Sequence, residues 1–101
     1  MIPIAICDDE LLHARQTQAA IRRCEAQAVT RCFETPLALL EAAPDGVFLR
    51  CHQSYWANFS YITAMEKDEF VLTGGLRVPI SRSYRSAARS TFFANLRGEE
   101  G

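Results

Sequence analysis

The chain has 101 residues, 49% of them hydrophobic and 23% charged, with a formal net charge of −1. That length and balance fit one small soluble domain and exclude a disordered tail, a collagen-like chain and a charge-rich coiled coil. No apolar run approaches the roughly 18 residues of a membrane span, and the apolar opening lacks preceding basic residues and runs into Asp8-Asp9-Glu10, so no secretory signal is expected either.

The first expected strand is Ile2 to Cys7, apolar enough for a parallel strand buried on both faces. It stops at Asp8-Asp9. Residues 10–27 contain good helix formers, no Gly or Pro, and an acidic first turn that suits the helix dipole. Their apolar positions, Leu12, Ala19, Ala20 and Cys24, form a thin stripe. Ala28 to Phe33 reads as a second strand, which makes residues 2–33 a β-α-β unit with parallel strands and a right-handed crossover. Pro36 opens a short helix, and Pro44-Asp45-Gly46 breaks the chain.

Beyond that break the pattern becomes mainly antiparallel. Val47 to His52 alternates, with Phe48, Arg50 and His52 on one face. Ser54 to Ile62 reads as a loop or irregular turn. Thr63–Glu66 and Phe70–Thr73 flank the charged turn Lys67-Asp68-Glu69, and Gly74-Gly75 signals a two-residue hairpin into Leu76–Ser81. Pro79 puts that strand at an edge or in a bulge. Ser81 is the expected N-cap of a final helix over about residues 82–96. On it Tyr84, Ala87, Ala88 and Thr91 form one stripe, and Arg82, Arg85 and Arg89 another. Phe93 and Leu96 fall near the basic side, where a neighbouring element or a second subunit would cover them. The fold class expected is α/β, or α+β.

Charge is unevenly placed. Residues 1–46 carry net −3 and residues 47–101 net +2, and residues 77–97 hold five arginines and no acid. Such asymmetry favours an anionic partner on the C-terminal half, against the plainer alternative of a solvated basic face. Four cysteines without a Cys-x-x-Cys read as small packing residues rather than as a zinc site or disulfide framework.

Ile4-Ala5-Ile6-Cys7-Asp8-Asp9-Glu10 resembles the opening of a response-regulator receiver domain. Two carboxylates at the end of a parallel strand suit a hard cation, so the resemblance implies a weak, vestigial Mg²⁺ site at Asp8 and Asp9. The phosphoacceptor Asp of a third strand is missing, as are the later switch Ser/Thr and Lys. Phosphorylation and catalysis are therefore not expected.

Phe48-Leu49-Arg50-Cys51-His52-Gln53-Ser54-Tyr55-Trp56-Ala57-Asn58 resembles the core signature of the LytTR DNA-binding domain, and the likeness continues through Gly74-Gly75, the strand Arg77–Ser81 and Arg82. That resemblance implies a β-rich fold that places loops in DNA grooves, with Arg50, His52, Gln53, Asn58, Arg82, Arg85 and Arg89 at the interface. Gln53 and Arg82 fall in the two groove-facing loops. A Gln pairs with adenine and an Arg with guanine or phosphate. Arg85 and Arg89 suit phosphates, and Asn58 suits side-chain to backbone bonds within its own loop. His52 suits a structural hydrogen bond and a phosphate contact equally. Tyr55, Trp56 and Tyr61 suit core packing better than a stacking surface.

The expected organisation is thus a partial receiver-like β-α-β fragment over 1–42, then a partial LytTR-like region over 43–101. The expected protein is a truncated, non-enzymatic, cytoplasmic transcriptional regulator that binds double-stranded DNA and does not engage a membrane. A homodimer or a full-length regulator is a further expected partner. The leading rival reading is an interaction or dimerisation fragment that modulates full-length regulators without touching DNA; a second, disfavoured by the missing Asp, is a phosphorelay receiver.

Overall fold

The computed structural model describes residues 2–24 and 30–98, leaving aside the side chains of Leu11, Arg22, Arg23 and Cys24. Four strands form one sheet in the order β2-β1-β4-β3, and three form a second in the order β5-β6-β7. The first sheet comprises β1 (Ile4–Cys7), β2 (Thr30–Phe33), β3 (Phe48–Arg50) and β4 (Tyr55–Asn58). The second comprises β5 (Ile62–Glu66), β6 (Glu69–Leu72) and β7 (Arg77–Pro79). The helices are α1 (Leu11–Cys24), α2 (Pro36–Ala42) and α3 (Arg85–Leu96). Helices with mainly antiparallel sheets make the fold mixed α/β.

β1 is buried along its whole length, which explains its unbroken apolar sequence. It pairs in parallel with β2, Ile4 opposite Thr30, and antiparallel with β4, Ile4 opposite Ala57. The alternation of a strand then separates two packed faces. Ile4 and Ile6 join Leu49, Tyr55 and Ala57 in a core completed by Ala14 of α1, Phe70 and Leu72 of β6, Val78 of β7, and Ala88 and Phe92 of α3. Ala5 and Cys7 face the other way and pack with Leu39 of α2. The Thr35 hydroxyl caps α2 by accepting from the Ala38 N–H, and Pro36 occupies its first turn.

Several expected elements change. Ser54–Ile62 is not a loop: it contains β4, which lies inside the first sheet between β1 and β3. Its four residues are too few to show a period, and Trp56 stands on the face opposite Tyr55 and Ala57. β3 ends at Arg50, so His52 lies in a bend rather than on the strand face shared with Phe48. The packed side of α1 is Ala14 with Ile21; Leu12, Ala19 and Ala20 are exposed. Cys24's part in that stripe, residues 25–27 of the expected helix and residues 28–29 of the expected strand lie outside the described residues.

The glycine turn is one residue wider than expected. Leu72 N–H donates to the Leu76 carbonyl, and Gly74 and Gly75 both take positive φ within the enclosed Thr73–Gly75 turn. β7 is an edge strand, the position Pro79 tolerates. A 3-10 turn, Arg82–Tyr84, precedes α3, and Ser81 makes no side-chain cap. On α3 the packed stripe is Tyr84, Ala88 and Phe92, while Ala87 and Thr91 are exposed. Phe92 fits because its ring meets Phe59 and Phe70 at 5.9 and 5.6 Å. Among the described residues no helix is long and apolar enough to cross a membrane.

Candidate nucleic-acid interface

Two short segments carry Gln53 and Arg82, the residues expected to face bases. One is the bend between β3 and β4, residues 51–54. The other is the turn after β7, residues 80–84. One backbone bond and one side-chain bond hold them side by side: Ser81 N–H donates to the Cys51 carbonyl at 2.7 Å, and the Tyr55 hydroxyl donates to the Pro79 carbonyl at 2.7 Å.

Gln53 lies at the exposed tip of the first segment, and Arg82 is exposed in the second. Neither side chain forms a hydrogen bond or ion pair among the described residues. Arg89 is also exposed, with its guanidinium 5.4 Å from the Phe93 ring centroid.

The other expected interface residues are tied into the fold. Arg50 donates from Nη2 to the Gln53 carbonyl at 2.7 Å and from Nε to the His52 carbonyl at 3.3 Å. Its guanidinium also lies over the Trp56 ring, 4.6 Å from the centroid, and over the Tyr84 ring, 4.9 Å away. His52 stacks on Tyr55 with ring centroids 4.8 Å apart, and its Nδ1 accepts the Ser54 N–H at 3.1 Å. Burial, with the Arg50 charge adding to it, pulls the His52 pKa below its ordinary value. The imidazole is therefore neutral at physiological pH.

Asn58 is 4% exposed. Its Nδ2 donates to the Ile2 carbonyl at 3.0 Å, and its Oδ1 accepts the Ser60 N–H at 3.0 Å. Those bonds cap the 3-10 turn after β4 and pin it to the chain ahead of β1, and burial removes the side chain from the surface. Arg85 donates from Nε to the Ile80 carbonyl at 3.2 Å and sits 3.4 Å from an Asp68 carboxylate oxygen.

The acid-free stretch 77–97 is thus not an unopposed basic face. The β5–β6 turn brings Asp68 to Arg85, and Arg77 bonds Glu66 and Glu69. Pairing across a hairpin places acids against arginines that stand many residues away in sequence.

Asp8 and Asp9 share one shallow cleft with Glu34, Thr35, Arg50, Gln53, Ser54 and Trp56. Asp8 starts α1: its Oδ1 accepts the Glu10 N–H at 3.0 Å, and its Oδ2 lies 3.6 Å from His13 Nδ1. Among the described residues no three His, Cys, Asp or Glu side chains come together as a metal site. Cys51 is fully buried, and burial pushes its thiol up to about 12, which leaves it a protonated packing group at neutral pH.

Sequence reasoning missed two things here. The Arg50 contacts to Trp56 and Tyr84 join residues from three elements, and no spacing announces them. The β4 strand was hidden, and with it the bend geometry that puts Gln53 at a tip. Residues 4–92 match the family model described as the LytTr DNA-binding domain. No curated protein and no solved structure matches the chain.

Proposed function

The chain belongs to the LytTR family of DNA-binding domains, and from that premise we propose that it is a transcription regulator that reads duplex DNA through two adjacent segments, the bend at Gln53 and the turn at Arg82. The observation that carries this reading is the pair of bonds that set residues 51–55 against residues 79–81 while both side chains stay exposed and unengaged. Gln53 suits an adenine edge, and Arg82 a guanine edge or a phosphate. Arg89 adds phosphate affinity from the first turns of α3. Asn58 and Arg85 serve the scaffold, and His52 shapes the bend.

The receiver-like reading of residues 1–42 rests on the Asp8-Asp9 motif. Against a separate fragment stands the sheet itself, in which β1 lies between β2 and β4 and shares the core of residues 43–101. In our reading the acidic pair carries no phosphoryl chemistry, and the protein works in the cytoplasm where its DNA is. The rival, an interaction fragment, draws on the exposed Leu37, Leu40, Phe93 and Leu96. It gains ground if no duplex binds.

The test compares Arg82→Ala with Arg89→Ala on a duplex selected by the wild-type protein and on a scrambled duplex. Arg82→Ala is expected to cost about 1–3 kcal/mol on the selected duplex and to lose discrimination at one base pair. Arg89→Ala is expected to weaken both duplexes alike and to lower the salt slope by about one. Equal weakening of both duplexes by Arg82→Ala would make Arg82 a phosphate contact and remove specificity from that turn.

A further inference from the structure

Arg50 stands at the end of β3, and its guanidinium touches both segments of the proposed interface. Its donors reach the carbonyls of His52 and Gln53, the residues that form the bend. One ring against it, Trp56, belongs to β4; the other, Tyr84, ends the turn that carries Arg82. A planar fork that hydrogen-bonds along its edge and stacks on its faces is a guanidinium property, which an ammonium cannot reproduce. With Nη2 and Nε spent inside the protein, Arg50 is poorly placed to grip a phosphate as well.

We propose that Arg50 is a positioning residue: it locks the Gln53 bend to the Arg82 turn and so sets the spacing with which the two side chains meet the bases. This deepens the DNA-binding reading and rests on it. Under it, Arg50 governs discrimination between sequences. It contributes little to the charge-driven affinity shared by all sequences, because counterion release follows from phosphate contacts that Arg50 does not make.

The experiment uses the full chain with Arg50→Lys, which keeps the charge and loses the fork. Tyr84→Leu serves as a second variant, because it removes one stacked ring without touching the bend. Binding is measured on the selected and the scrambled duplex over a salt series. Both variants are expected to lose at least about tenfold in selected-over-scrambled discrimination while the salt slope stays the same. A slope lowered by about one with both duplexes weakened equally in Arg50→Lys makes Arg50 a phosphate contact and overturns the proposal. Unchanged discrimination in both variants overturns it too. If Arg50→Lys fails to fold, Tyr84→Leu alone decides by the same criteria.

One arm needs no DNA. In the free protein, Arg50→Lys is expected to shift the backbone amide resonances of both Gln53 and Arg82. Shifts confined to residues 50–54 refute the coupling even if the wild-type protein binds duplex. Conversely, a wild-type protein that binds no duplex refutes the DNA-binding reading while that spectrum still reports whether Arg50 joins the two segments.

Discussion

At the scale of single residues, the polar side chains near the interface divide into those that build it and those left open. Asn58 belongs to the first group. Replacing it with alanine removes the partners of the Ser60 N–H and the Ile2 carbonyl, and loss of these two part-buried hydrogen bonds costs about 1–2 kcal/mol. Chemical denaturation of Asn58→Ala is expected to show that loss of stability. His52 belongs there too, because only an unprotonated Nδ1 can accept the Ser54 N–H. Its folded pKa lies below the ordinary 6.5. Below that ordinary value the unfolded chain takes up a proton that the folded chain resists. The His52 contribution is therefore fully present above the unfolded pKa and is lost as pH falls toward the folded one. Melts at about pH 7.5 and about pH 5.5 are expected to show a smaller acid loss in His52→Asn than in the wild-type protein. An equal loss would place the acid sensitivity elsewhere.

At the scale of elements, β1 and α2 were legible because each has a local cause. β1 is an unbroken apolar run, and α2 has Pro36 in its first turn. The β5–β6 hairpin was legible from its charged turn. β4 was not, since four residues in the middle of a sheet show no clear alternation, and its last residue Asn58 with the flanking Ser54 and Ser60 reads as loop. The α3 stripe was displaced because the first turn is 3-10, and Phe92 rather than Thr91 falls over the core. The candidate site was legible in its residue types but not in its pairings: Asp68 reaches Arg85 across a hairpin, and Arg50 joins three elements at once. Phe92 measures how much α3 depends on its apolar face. It is 4% exposed and meets Phe59, Phe70 and Phe93. Phe92→Ala is expected to cost about 3–5 kcal/mol. Because α3 follows directly on the Arg82 turn, denaturant unfolding of this variant should show a lower midpoint, and its DNA binding should weaken in parallel.

For the whole molecule, the two sheets share one core and the principal extents are 37 × 28 × 26 Å. A net charge of −1 supplies no general attraction to DNA. On the proposed reading, affinity comes from where arginines without an acidic partner among the described residues stand. Arg77 and Arg85 are spent on acids, whereas Arg82 and Arg89 are exposed and make no ion pair among the described residues. Asp8 and Asp9 share the cleft beside Gln53, and their charge disfavours phosphates there, so the proposed reading has the duplex approach from the side of Arg82 and Arg89. On the proposed reading few phosphates are contacted, which gives a moderate salt slope, and specificity comes from the two tips. The measurement that tests this most directly is a salt titration of duplex binding by the full chain, from about 50 to about 200 mM monovalent salt. The account predicts binding at the low end that weakens linearly on a log–log plot, with a slope of only a few units. Absence of duplex binding even at about 50 mM salt would contradict it and favour the interaction fragment.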